Sequence, residues 1–124
     1  MPVRSLSSSI LKWPDAKAVD HAVRAWACRI TQDRADVLRI GYFGSYARGD
    51  WGVGSDLDLV IVVRQSDLPI ERRTIEWDTS RLPVPADVLI YTVEEWQSLS
   101  TTTRFGRVLR TETIWVYERE AAAP

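Results

Sequence analysis

"GYFGSYARGDWGVGSDLDLVIVV", residues 41–63, is the stretch on which the reading of this chain turns. Five of the six glycines fall between Gly41 and Gly54, just ahead of Asp56 and Asp58. Behind the aspartates, Leu59 to Val63 is an unbroken apolar run, the pattern of a strand buried on both faces. Alternate residues of a strand share a face, so Asp56 and Asp58 point the same way, with Cα atoms about 6.5–7 Å apart. Two carboxylates so placed suit hard cations, which take oxygen ligands; without a cation, each disfavours ionisation of the other. Leu57, Leu59, Ile61 and Val63 take the opposite face, toward a core.

Upstream, "VLRIGYF", Val37–Phe43, reads as a strand that Gly44 ends. A short helix after Gly44 would turn its first N–H groups toward an anion. Gly44 lets the backbone approach closely, the Ser45 hydroxyl adds a hydrogen bond, and Arg48 adds a charge-assisted one. Gly49, Gly52 and Gly54 bring the second strand back beside the first, with Asp50 solvated at the loop tip. An anion cradle beside a cation-binding pair is what a nucleoside triphosphate with magnesium requires.

The rest of the chain supplies a frame for this motif. Val19, Ala22, Val23, Trp26, Ala27 and Ile30 line one face of a helix that starts at Pro14–Asp15 and ends near 32–34. A further helix is expected within 66–80, and "ADVLIYT", Ala86–Thr92, is a third strand. "TVEE" is a capping box with Thr92 at the cap and Glu95 three residues on. The helix it opens carries Trp96 and Leu99 and, after a break over 98–103, Phe105, Val108 and Leu109. "TIWVY", Thr113–Tyr117, is the last strand. The expected fold is a single α/β (α+β) domain over 1–124: a mixed β-sheet with helices mainly on one face, a loose arm over 1–12 and a frayed tail over 118–124.

Composition narrows the function. A net charge of −1 argues against a surface built for long nucleic acids. One cysteine, Cys28, cannot form an internal disulfide, and no stretch has the length of a membrane span, which points to the cytoplasm. His21 and Cys28 make no zinc-type ligand set. Arg104, Arg107 and Arg110 step by three along one helix side and read as a solvated face. Tyr42 reads as core, and Tyr46, beside the motif, is a candidate to pack on a base.

Gly44-Ser45, ten residues, then Asp56-x-Asp58 resembles the GS-x10-D-x-D signature of the nucleotidyltransferase superfamily that includes DNA polymerase β. "GSYARGDWGVGSDLDLVIV" is similar to its small branch, the minimal nucleotidyltransferase (MNT) family. The resemblance implies a third carboxylate from a neighbouring strand, at Asp87 in "PADVLIYT". It implies that Asp56, Asp58 and Asp87 hold two magnesium ions, with Asp87 as general base, and that Gly44 and Ser45 hold the β- and γ-phosphates of ATP or another nucleotide, a site to which the residues themselves add Arg48. It further implies transfer of a nucleoside monophosphate to a hydroxyl. In this family the acceptor is often a tyrosine of a partner HEPN toxin, the MNT protein acting as antitoxin in a homo- or hetero-oligomer. Two alternatives stay open: a small-molecule transferase similar to aminoglycoside nucleotidyltransferases, and a catalytically silent MNT binding module.

Overall fold

The computed structural model describes residues 13–119. The expected arm over 1–12, and residues 120–124 of the expected tail, lie outside the described residues. Helix α1 (Ala16–Asp33) is opened by Asp15, whose side chain accepts a hydrogen bond from the Ala18 amide at 2.8 Å. Its Val19, Val23, Trp26 and Ala27 are buried at helical spacing. They pack on Ile40 of β1 (Val37–Phe43) and on Leu57, Leu59 and Ile61 of β2 (Leu57–Val63), within one apolar cluster. Removing such side chains from water is worth roughly 1.5–3 kcal/mol each, so packing holds α1 in place more than helix propensity does.

The turn α2 (Ser45–Arg48) and a glycine-rich loop join β1 to β2. A 3-10 segment (Ile70–Glu76) leads on to β3 (Ala86–Thr92). Helices α3 (Val93–Gln97) and α4 (Arg104–Glu112) follow, and β4 (Ile114–Glu118) ends the fold. The sheet order is β3-β2-β1-β4; β1 runs antiparallel to both β2 and β4, while β2 and β3 are parallel. This is the expected mixed sheet. Helix cover is more even than expected: α1 lies on one face, and α3 and α4 lie on the other. There Trp96 and Leu109 pack on Val60, Val62, Tyr91 and Phe43. The run Leu59–Val63 is apolar because both of its faces are covered.

Three expectations shift in detail. Asp56 precedes β2, which begins at Leu57, where the amide donates to Pro85 O at 2.8 Å. Within 66–80 only the short 3-10 segment forms. Glu118 is still in β4, opposite Arg39, and the Arg119 amide donates to Leu38 O at 2.7 Å, so these two residues are not a frayed tail. The break over 98–103 is present between α3 and α4. Arg107 and Arg110 are not merely solvated: Arg110 donates to the carbonyls of Trp96, Gln97 and Leu99, and Arg107 to those of Thr101 and Thr102. They satisfy acceptors that the break leaves without helical partners.

The capping box is present, and it does more than cap. Glu95 accepts from the Thr92 amide at 2.8 Å and forms a two-pronged pair with Arg73 at 2.6 and 3.1 Å. Arg73 is buried and also donates to Leu68 O and Ile90 O. One guanidinium thereby ties the β2–β3 crossover to β3 and to the start of α3. The Arg73 hydrogen bonds hold the Glu95 carboxyl at about 2, below its ordinary 4.5. A depressed carboxyl stabilises the fold above its unfolded value and ceases to do so as pH falls through the folded one. Glu95→Gln keeps an acceptor for Thr92 but loses the charge. In urea unfolding at pH 7 it should cost about 1–3 kcal/mol. The gap between wild type and variant should narrow steadily as pH is lowered from about 5 toward 2; a gap that does not change with pH would refute this account of the pair.

Candidate active site

Parallel pairing of β2 with β3 sets Asp58 directly opposite Asp87. Neighbouring strands lie about 4.8 Å apart, so the two side chains leave the sheet side by side on one face. On β2 that face continues as Val60 and Val62, buried beneath α3 and α4. Asp58 is half-buried at its rim, while Asp56, two residues earlier, and Asp87 are exposed. Antiparallel pairing sets Phe43 opposite Asp58 from the other side. The end of β1 and the turn after it are thereby brought against the same carboxylate.

Gly44 makes that approach possible. Its φ of +81° is in the left-handed region, and a Cβ at this position would run into Asp58 Oδ2. Any other residue would be strained and would also displace the carboxylate. The Gly44 carbonyl accepts from the Ala47 and Arg48 amides at 3.0 and 2.9 Å, closing the turn α2. With four residues, α2 carries little dipole, so the anion-binding power expected of a helix end reduces to backbone N–H groups, the Ser45 hydroxyl and Arg48.

Burial, followed by the negative charges of Asp87 and Asp56, pushes the Asp58 carboxyl up, with Arg48 opposing. The cluster is therefore short of positive charge. Among the described residues no three acidic, His or Cys side chains converge tightly enough to grip one ion, so the expected three-carboxylate centre is not closed. The donor set nevertheless fits a hard divalent cation: three carboxylates at one end of the sheet, two of them exposed and free to rotate.

The other sequence candidates sort themselves. Tyr46 is buried, stacked on Trp51 at 5.6 Å, and its hydroxyl accepts from Trp13 Nε1 and donates to Pro14 O, so it is structural and does not receive a base. Tyr42 is core, as expected, and bonds Asp20 at 2.7 Å. Asp50 is exposed and paired with Arg48 Nε at 3.1 Å. Two more residues stand at this end of the sheet: Glu112, which the sequence did not single out, and Phe105, read there only as part of the helix. Phe105 is half-exposed and meets Phe43 edge-on at 6.1 Å. Glu112 accepts from the Gly44 amide at 2.8 Å and from Arg48 Nη1 at 3.3 Å. Neither carries a local sequence signal, because only the path of β4 brings α4 to this end of the sheet.

Two cavities among the described residues lie away from these carboxylates. One of about 450 Å³ is lined by Arg34, Val63, Arg73 and Ile90, and another of about 720 Å³ by Leu38, Val62, Trp96 and Arg119. Both sit at the opposite end of β2 from Asp58. At the Asp58 end, Asp56 and Asp87 are open to solvent.

A sequence profile of the family described as "Nucleotidyltransferase domain" matches residues 26–110. A protein of Methanocaldococcus jannaschii, provisionally named a protein adenylyltransferase, is 34% identical over 73 residues, spanning 59% of this chain and 72% of that protein. Among solved structures, a provisionally named nucleotidyltransferase of Sulfolobus solfataricus superposes with a TM-score of 0.62 at 17% identity, covering 86% of each chain. A toxin–antitoxin structure with AMP-PNP superposes with a TM-score of 0.54 at 19% identity, over 78% of this chain and 74% of that one. At these identities the structural likenesses speak for the fold.

Gly44→Ala and Gly49→Ala separate backbone strain from contact. Gly49 also has positive φ, at +90°, but a Cβ there meets nothing within 4 Å. Gly49→Ala should cost about 1–2 kcal/mol in urea unfolding, from conformation alone. Gly44→Ala should cost clearly more; equal losses would mean that Asp58 is not packed against the turn.

Proposed function

Because the chain belongs to the nucleotidyltransferase domain family, we propose that this enzyme moves AMP from ATP to a tyrosine hydroxyl of a partner HEPN-type toxin, and so serves as the antitoxin of that pair. Nucleotidyl transfer itself follows from the family. The observation that carries the reading is the register that sets Asp58 beside Asp87, with Gly44 packed against Asp58. The protein adenylyltransferase name of the 34% identical relative supports a protein acceptor, and the toxin–antitoxin likenesses support the pairing. The exposure of Asp56 and Asp87 supports it too, since a side chain on a large partner can reach them from solvent.

In this reading Asp56, Asp58 and Asp87 hold two magnesium ions, which when bound stabilise charge on the attacking and leaving oxygens. The Gly44 and Ser45 N–H groups, the Ser45 hydroxyl and Arg48 hold the β- and γ-phosphates. Asp87 takes the proton from the acceptor hydroxyl as that oxygen bonds the α-phosphorus and pyrophosphate leaves. The site would work in the cytoplasm, where nucleoside triphosphate is at hand; no helix among the described residues is long and apolar enough to cross a membrane.

The test is incubation with α-labelled ATP and magnesium, with and without the candidate toxin. Label should enter a tyrosine of the toxin, and Asp58→Ala should abolish transfer while circular dichroism and the melting temperature show a folded chain. Label entering a small molecule instead, or full activity of Asp58→Ala, would defeat the proposal.

A further inference from the structure

Glu112 is the last residue of α4, and its place is set by the sheet. Ile114 pairs with Tyr42, and the same antiparallel ladder continued two residues outward brings Glu112 opposite Gly44. Its carboxylate is largely enclosed, with 17% of the side chain exposed, and one oxygen takes both the Gly44 amide at 2.8 Å and Arg48 Nη1 at 3.3 Å. These are the donors that the proposed function assigns to phosphate oxygens.

This position is electrostatically poor for a carboxylate. It lies at the C-terminal end of a helix, where the dipole disfavours negative charge. Its negative charge also adds to the upward push on the Asp58 carboxyl. Gly44 and Arg48 are what hold it there. Helix α4, by contrast, is firmly anchored: Leu109 is fully buried, Arg110 Nη2 donates to Trp96 O at 2.7 Å, and Thr113 Oγ1 donates to Leu109 O at 2.6 Å. Rotation of one side chain is therefore enough to free the donors, with the helix left in place.

We propose that Glu112 is the resident anion of the phosphate cradle: it holds the Gly44 amide and Arg48 until a triphosphate displaces it, and retakes them as pyrophosphate leaves. The proposal rests on the reading of Gly44, Ser45 and Arg48 as the triphosphate site. Nothing is bonded or broken in the exchange. A carboxylate competes with phosphate oxygens for the same two donors, so the ligand binds less tightly than the bare donors would allow, and product is released faster.

Calorimetric titration of the full chain with pyrophosphate, ATP and AMP in magnesium tests this. Glu112→Gln keeps an oxygen acceptor for Gly44 and removes the charge; Glu112→Ala removes both. Both variants should bind pyrophosphate and ATP about tenfold more tightly, equivalent to about 1.4 kcal/mol, with AMP affinity unchanged. In turnover Glu112→Gln should lower KM and also kcat, because pyrophosphate leaves more slowly. A residue that merely latched α4 to the turn would leave these affinities unchanged or weaken all three. Wild type that binds pyrophosphate while Glu112→Gln binds it equally or less well overturns the proposal and leaves the triphosphate site standing. If neither wild type nor variants bind pyrophosphate or ATP, the assignment of the cradle falls and the proposal with it. Should Glu112→Ala melt well below wild type, Glu112→Gln alone decides.

Discussion

Like charges placed side by side are the constraint on which this structure turns. Parallel pairing of β2 and β3 holds Asp58 and Asp87 in adjacent positions, and Asp56 adds a third carboxylate. Two carboxylates at neighbouring positions repel, and burial at Asp58 makes matters worse, as the upward push on its carboxyl shows. A fold gains nothing in stability from such an arrangement. It must be held there by forces from elsewhere, and it is useful only where positive charge is brought in.

Those forces are visible. β2 is an inner strand, apolar on both faces, so a one-residue slip would exchange Leu59 and Ile61 for Val60 and Val62 and would pull Asp58 toward the α1 side. β3 is an edge strand, held on one side only by β2. Its register is reinforced at its far end, where Arg73 bonds Ile90 O and Glu95. The pair therefore acts on the carboxylates from the opposite end of β3, by fixing which residue stands beside Asp58.

Much of this was legible in the sequence, for reasons that differ by residue. Val37–Phe43 and Ala86–Thr92 could be bounded because glycine or proline stands near an end of each, and Asp58 could be put at the start of a buried strand because the apolar run behind it is a local signal, whereas Asp56, expected on the same strand, falls just ahead of it. The Thr92–Glu95 box was local in the same sense. What was not legible depends on contacts far apart in the chain. Whether Asp87 lies beside Asp58 is decided by the crossover; the resemblance supplied that expectation, and spacing alone did not. Tyr46 was misjudged because Trp13 and Trp51, which enclose it, are distant or in a loop. Glu112 went unseen because it lies 68 residues from Gly44 and reaches it only through the pairing of β4 with β1.

Gly44 is where the two halves of the site meet. On one side its missing side chain leaves room for Asp58, one of the three carboxylates proposed to hold cations. On the other, its N–H faces an anion, at present the carboxylate of Glu112. A nucleotide with its metal carries both kinds of charge in one molecule, phosphate oxygens and cation within a few ångströms of each other. To match it, a protein must set donors and acceptors equally close without letting them neutralise one another. Opposed side chains at that spacing would simply pair, as Arg48 does with Asp50 and Glu112. A backbone N–H on a glycine avoids this: it donates without carrying net charge, and it cannot swing across to Asp58. The left-handed turn at Gly44 is thus what keeps the anionic and cationic parts of the site distinct while holding them in contact.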